Sequence, residues 1–239
     1  MKLETYGAGE AVVLLHGFTS RGDSWRRWGW VDRLVAHGFV ATLVDFPGHG
    51  DGAPPDAENT TITALAAQVV DMLDQIGAAD ACLVGFSMGG GVALHLAVEV
   101  PERLRRVVVA GVGDEAVNAW RDDKRIAELR AAFAGEPAPA RWTDSIVRNA
   151  ELAGNDPRGL VSFLRHGGWP GGLARLEALR VPTLFVVAED DEYMPTAARL
   201  LAELAPAQVL RCAGSHHEIL GDPTVQEAAV AFLAQGRIE

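Results

Sequence analysis

Residues 81–97 read ACLVGFSMGGGVALHLA. The run ACLVGF has the unbroken apolar character of a buried strand, and GGVALHLAVEV has that of a helix. Between them stand Gly85, Phe86, Ser87, Met88 and Gly89. A polar Ser with glycine two residues before and two after suits a sharp strand-to-helix turn, if the Ser backbone is strained and neighbouring segments come close. Ser87 is therefore either a displayed nucleophile or part of a plain glycine-rich turn. A bare G-x-S-x-G match is weak in a chain with 26 glycines; the strand before it and the helix after it give it weight. The turn also sets Ser87 at a helix N-terminus, whose N–H groups and dipole stabilise developing negative charge. Gly89, Gly90 and Gly91 each cost roughly 1 kcal/mol of helix propensity relative to Ala, which makes sense if backbones pack closely there.

Outward from this turn, short β-branched runs alternate with longer stretches of helical period. The strand candidates are 11–15, 40–45, 81–86, 106–110, 183–188 and 208–212. Ile62, Leu65, Val69, Met72, Leu73 and Ile76 recur at helical spacing and stop at Gly77. Further helices are expected from Asp23 or Ser24 to Gly38, from just after Ser87 to before Pro101, and from Asp222-Pro223 to Gly236. Such alternation predicts an α/β fold, a mostly parallel sheet with helices on both faces. Residues 114–172 break the pattern with charged helical segments and no strand candidate. They read as a small helical cap inserted into a core formed by 1–113 and 173–239. Trp120, Phe133, Trp142, Phe163 and Trp169 of the cap either line a substrate pocket or glue the cap to the body.

Composition narrows the classes of function. At 239 residues and 49% hydrophobic, the chain can bury one large core. Its net charge of −11, with no Lys/Arg cluster interleaved with aromatics, argues against a nucleic-acid partner. The opening MKLETYGAGE has no apolar signal core, and no stretch reaches the ~18–20 apolar residues of a membrane span. A cytosolic, soluble protein without a membrane partner is expected. Cys82 and Cys212 lie in separate apolar runs without metal-ligand spacing, so they read as buried thiols rather than a disulfide or zinc site.

Five segments in order, LLHGF (14–18), VDFPGHG (44–50), LVGFSMGG (83–90), VAEDDEYMP (187–195) and AGSHHEILGDP (213–223), resemble the α/β-hydrolase family over nearly the whole chain outside the cap. The resemblance implies a Ser, acid, His triad in that chain order, satisfied by Ser87, Asp191 and His216. A Ser hydroxyl needs a base within hydrogen-bond reach, and the base needs an acid that fixes its tautomer and stabilises the imidazolium. His216 is preferred over His217 for its spacing to Pro223, although Ser215 stands where the family usually has Gly. Asp191 is preferred over Glu189 and Asp190 because it precedes Pro195 by four residues, although Ala188 replaces the usual Gly. Asp114, after the 106–110 strand, is a further acid candidate, with helix capping as its plainer role.

The same resemblance gives the backbone N–H groups of Phe18 and Met88 as an oxyanion hole. His16 and His49 read as loop supports, and His37, His95 and His166 as surface or packing residues. The expected activity is hydrolysis of a carboxylic ester or lactone of small to medium size through an acyl-enzyme, with no metal or organic cofactor. Ser at the turn argues against haloalkane dehalogenases and epoxide hydrolases, which use a carboxylate there. Carbon–carbon hydrolases and the related menaquinone-pathway lyase, a cofactor-free perhydrolase side activity and a non-catalytic ligand-binding protein stand as alternatives. Phe18-Thr19 departs from the small residues of the carbon–carbon hydrolases and from the Trp of the perhydrolases. Gly91 stands where the lyase has Arg.

Overall fold

The computed structural model describes residues 1–113, 123–136, 141–166, 172–191 and 207–236. Its centre is a seven-stranded sheet made of β1 (Lys2–Gly7), β2 (Glu10–Leu15), β3 (Phe39–Asp45), β4 (Ala81–Phe86), β5 (Leu104–Ala110), β6 (Thr183–Ala188) and β7 (Ala207–Cys212). The order across the sheet is β1-β3-β2-β4-β5-β6-β7. Only β1 runs antiparallel, pairing Lys2 with Asp45 and Gly7 with Val40. The six predicted strands all form, each within two residues of its expected start.

Alternate residues of the central strands feed two separate cores. Val13, Leu15, Leu83, Val107, Val109 and Phe185 face one layer, and Val12, Leu14, Cys82, Val84, Val108 and Leu184 face the other. The first is covered by α3 (Ile62–Gln75) and α4 (Met88–Glu99), the second by α1 (Ser24–Arg27), α2 (Trp30–Ala36) and α8 (Pro223–Leu233). Helix α3 buries Ile62, Leu65, Val69, Met72 and Leu73 of the stripe its period predicts, whereas Ile76, at the C-cap, is exposed. Thr61 caps it by accepting from the Ala64 N–H at 3.0 Å, and Gly77 ends it at φ +70°.

One predicted element is divided. The expected helix from Asp23 or Ser24 to Gly38 is two helices, because Gly29 adopts φ +85° and turns the chain between Trp28 and Trp30. Trp25 and Trp30 then pack edge to face with centroids 5.4 Å apart. Between β5 and β6, the described residues hold α5 (Asp123–Phe133), α6 (Arg141–Ala153), α7 (Pro157–His166) and a 3-10 turn. Helix α7 buries Gly159, Leu160, Phe163 and Leu164 on one face. Polar bonds tie this region to the loops beneath it. The Asp156 N–H donates to Gly48 O at 2.7 Å, Asn155 Nδ2 donates to Ser20 O at 3.0 Å, and the Thr60 and Ser162 hydroxyls meet at 2.7 Å.

The glycines around Ser87 differ in what they permit. A Cβ on Gly85 would lie 2.4 Å from Gly89 O, and one on Gly89 only 2.2 Å from Leu15 O. A Cβ on Gly91 would meet nothing nearer than Ile62 Cδ1 at 3.4 Å, an ordinary contact. Gly91→Ala is therefore expected to stabilise the protein by about 0.5–1 kcal/mol through helix propensity, raising Tm by about 1–4 °C. A lowered Tm in thermal denaturation would show that α4 needs the gap.

Cys82 is buried in β4, and Cys212 is half-buried in β7; both are free thiols. Burial pushes the Cys212 thiol up to about 11. No helix among the described residues is long and apolar enough to cross a membrane.

Candidate active site

The site lies where the strands end. Loops leaving the C-terminal ends of β2, β4, β5, β6 and β7 converge at the point where the chain, having placed β3 on one side of β2, crosses to place β4 on the other. In this arrangement the sheet presents residues far apart in sequence at one edge.

Ser87 follows β4 at φ +51° and ψ −111°, and among the described residues it is the one non-glycine with positive φ. Strain of this kind costs on the order of 1–3 kcal/mol and persists only where surroundings enforce it. Here the Ser87 N–H donates to Ala110 O at 2.9 Å, the Gly91 N–H donates to Ser87 O at 2.9 Å, and the Gly89 N–H donates to His16 O at 3.1 Å. The turn is thus pinned to β5, to its own helix and to the loop after β2. Met88 is the first residue of α4, so its N–H has no partner within the helix.

The loops after β6 and β7 continue the sheet's hydrogen bonding beyond the strands. Glu189 N–H donates to Cys212 O at 2.8 Å, and Asp190 N–H to Gly214 O at 3.2 Å. This extension brings Asp191 beside His216, whose Nδ1–H donates to Asp191 Oδ2 at 2.7 Å. Asp191 and His216 are buried, whereas Glu189, Asp190 and His217 are exposed. His216 is wedged in place: its ring centroid is 4.8 Å from that of Phe86, and a Cβ on Gly111 would lie 2.8 Å from its Cε1. Its loop is fixed by Glu218, which accepts from both the N–H and the hydroxyl of Ser215 at 2.8 and 2.7 Å. Trp30 Nε1 and Gln226 Nε2 both donate to Leu220 O at 2.8 Å, tying the loop to α2 and α8. Asp114 lies outside the described residues, as does Pro195.

The loop after β2 is built on two buried histidines. The Phe46 N–H donates to His16 Nε2 at 3.2 Å, so the ring proton sits on Nδ1, 2.9 Å from Gly17 O. His49 Nε2 lies 2.6 Å from Phe18 O and donates to it, the shorter of its two carbonyl contacts. Burial holds both imidazoles below their usual pKa, His16 strongly so. His95, also buried, is lowered for the same reason, whereas His37 and His166 are exposed.

A cavity of about 410 Å³ opens over Ser87. His216, His217, Gly17 and Phe18 share its floor with Ser87; Trp28, Phe86, Ile146, Leu152 and Ala153 form an apolar wall; Thr19, Ser20, Ser24, Arg27 and Asn149 supply polar groups. The aromatic side chains expected from the insertion are not what lines it among the described residues. Phe163 is buried in the core with its ring 5.8 Å from that of Phe18, and Phe133 packs against the same core. Trp120, Trp169 and the side chain of Trp142 lie outside the described residues. Sequence reasoning missed Trp28 and the α6 residues Ile146, Asn149 and Leu152. The signal for the latter was the i, i+3, i+6 spacing on an amphipathic helix, which shows a face without showing what it faces.

Residues 12–231 match the sequence model of the alpha/beta hydrolase family. The chain belongs to that family. Among its relatives, the dihydrolipoyllysine-residue acetyltransferase component of the acetoin cleaving system from Cupriavidus necator is 33% identical over 84% of this chain and 56% of its own length. The 2-hydroxy-6-oxo-6-phenylhexa-2,4-dienoate hydrolase of Burkholderia cepacia is 38% identical over 46% of this chain and 39% of its own. This alpha/beta hydrolase thus spans about half the length, or less, of these curated relatives. In the crystal structure of a hydrolase from Pseudomonas aeruginosa PA01 the same fold recurs, with a TM-score of 0.77 at 24% identity, covering 97% of this chain and 93% of that one.

The two loop histidines make the stability of this alpha/beta hydrolase family member pH-dependent. Their folded-state pKa values lie below the unfolded value of about 6.5, so the unfolded chain binds more protons once pH falls below that value. Stability is then lost as pH drops, by up to about 1.4 kcal/mol per pH unit for each ring. Tm is expected to hold steady from pH 8 to 7 and decline toward pH 5.5, with His49→Asn flattening the slope. A Tm independent of pH over that range would mean the rings are protonated when folded.

Proposed function

We propose that this protein is a serine hydrolase that cleaves carboxylic esters or lactones of small to medium size. The observation that carries the proposal is the joint placement of Ser87, on its strained turn, and the Asp191-bonded His216 in the lining of one cavity. In this reading Asp191 holds His216 with its proton on Nδ1, leaving Nε2 to accept. Ser87 Oγ attacks the substrate carbonyl carbon as its proton passes to His216 Nε2. Amides of Phe18 and Met88 stabilise the resulting oxyanion, each worth roughly 3 kcal/mol at the transition state. Collapse expels the alcohol oxygen, which takes the proton from His216, and leaves an acyl ester on Ser87. Water then attacks that ester, gives one proton to His216, and the acid departs as Ser87 regains its hydrogen. His16 and His49 support the Phe18 amide from below and take no part in proton transfer.

The cavity supports the small-to-medium size range, since its volume lies within that of ordinary small-molecule sites. One relative bears the name of a 2-hydroxy-6-oxo-6-phenylhexa-2,4-dienoate hydrolase, but a Ser nucleophile with a His base needs no further group to open an ester. The test combines turnover of a p-nitrophenyl ester series from C2 to C12 with labelling by a serine-directed phosphonate. Turnover with an optimum at short or medium chains, and one phosphonate per chain on Ser87, are expected. A folded protein that neither turns over these esters nor takes the label would overturn the proposal.

A further inference from the structure

The cavity over Ser87 is cationic at one place. Arg27, at the end of α1, contributes to its lining, and the described lining residues include no Asp or Glu. Its carboxylate partner is shared. Arg27 Nε lies 3.4 Å from Asp23 Oδ2, but the same carboxylate serves Arg26 Nη1 at 3.3 Å. With Arg27 in the lining and no carboxylate among the described lining residues, this edge of the cavity is positive in a chain whose net charge is −11. Long-range attraction of anions by the protein as a whole is therefore not what this arginine reports; it is a local feature.

Further hydrogen-bonding groups share the lining. Ser24, with only 7% of its surface exposed, accepts from Ser20 Oγ at 2.8 Å and from Arg27 Nη2 at 3.4 Å. A hydroxyl that accepts twice still has its own proton to give. Asn149, on α6, adds a carboxamide to the same lining. Guanidinium, hydroxyl and carboxamide N–H groups next to an apolar wall of Trp28, Phe86 and Ile146 are what a chain ending in an anion needs: burial for its methylenes and charge-assisted bonds for its end.

We propose that Arg27, with Ser24 and Asn149, binds a carboxylate carried by the substrate away from the scissile carbonyl. The substrate class is then a half-ester of a dicarboxylic acid, or a lactone bearing a carboxylate. This inference rests on the hydrolytic reading above. Arg27 is a specificity-determining residue here; it stands apart from the proton transfers at Ser87.

The test compares mono-4-nitrophenyl adipate with its methyl ester, which differs in lacking the charge, on wild type, R27Q and R27K. Wild type is expected to favour the acid, and R27Q to reduce that preference about tenfold, as loss of a charge-assisted contact at a partly exposed site requires. The loss should fall on KM, R27K should restore part of it, and raising salt from about 0.02 to about 0.5 M should narrow the wild-type preference. Equilibrium binding of the non-hydrolysable adipic acid monoanilide and its methyl ester, by titration calorimetry, is measured in parallel. If neither ester is turned over but the anilide acid still binds more tightly than its methyl ester, and R27Q removes the difference, the hydrolytic reading falls and the carboxylate site stands. Equal preference in wild type and R27Q, in turnover and in binding alike, would overturn the site and reduce Arg27 to a surface ion pair with Asp23.

Discussion

Replacing Ser87 by Ala is expected to lower ester turnover by about 10⁴–10⁶-fold, the range found when the nucleophile of a serine–histidine–aspartate site is removed. Replacing it by Gly should abolish turnover equally, yet the two variants should differ in stability. Ala retains the Cβ that makes φ +51° unfavourable, so Ser87→Ala keeps the strain of the turn. Gly adopts positive φ freely, and Ser87→Gly releases about 1–3 kcal/mol of strain against about 0.5–1 kcal/mol of added unfolded-state entropy. The net gain of about 0–2.5 kcal/mol should appear as a Tm above that of Ser87→Ala, by several degrees at the middle of that range. Two readouts thus separate two statements. Retained turnover in either variant would remove Ser87 from the chemistry, whereas a Ser87→Gly Tm at or below that of Ser87→Ala would show that the turn stores no strain.

Such a trade is why this segment is legible in the sequence. A strained non-glycine turn needs close backbone approaches on both sides, and only glycine fits at 85 and 89, where a Cβ would fall 2.4 and 2.2 Å from neighbouring backbone oxygens. The parallel strands are legible for a related reason: buried on both faces, they are nearly continuous apolar runs, as Ala81–Phe86 is throughout and Thr183–Ala188 is after its first residue. β1 follows the opposite rule. It is an edge strand, half-exposed, with the charged residues Lys2 and Glu4 in KLETYG, and its existence depends on pairing with β3, which local sequence does not announce. The break at Gly29 was hidden similarly, since a lone glycine within an apolar-periodic stretch is compatible with a continuous helix. Its positive φ answers to the packing of Trp25 on Trp30 and the bond from Trp30 to Leu220.

The cavity was less legible than its floor. Residues at strand ends are positioned by the sheet, so motif order places them; wall residues are positioned by how helices dock. The aromatic side chains of the insertion are conspicuous in sequence, but Phe163 is directed into the core by the face that α7 buries, and the wall is taken from Trp28 and α6 instead. Arg27 was invisible as a cavity residue for the same reason, because its place depends on the turn at Gly29 that ends the first helix early.

Asp191→Asn tests the part of the site that geometry fixes most tightly. The carboxylate is buried and accepts from His216 Nδ1 at 2.7 Å, which places the ring proton on Nδ1; in the proposed mechanism the Nε2 lone pair then serves Ser87. An Asn of the same shape can turn its NH₂ toward Nδ1. The ring then accepts at Nδ1 and carries its proton on Nε2, the tautomer unable to deprotonate a serine. Turnover is expected to fall by about 10⁴-fold near neutral pH, with the fold retained because Asn fills the same space and keeps a hydrogen bond. A merely structural ion pair predicts the reverse pattern, a lowered Tm with kcat little changed per folded molecule. Measuring both in the same preparation decides between them: lost turnover at retained Tm makes Asp191 the group that orients the base, and retained turnover would return the choice of acid to its neighbours in the chain.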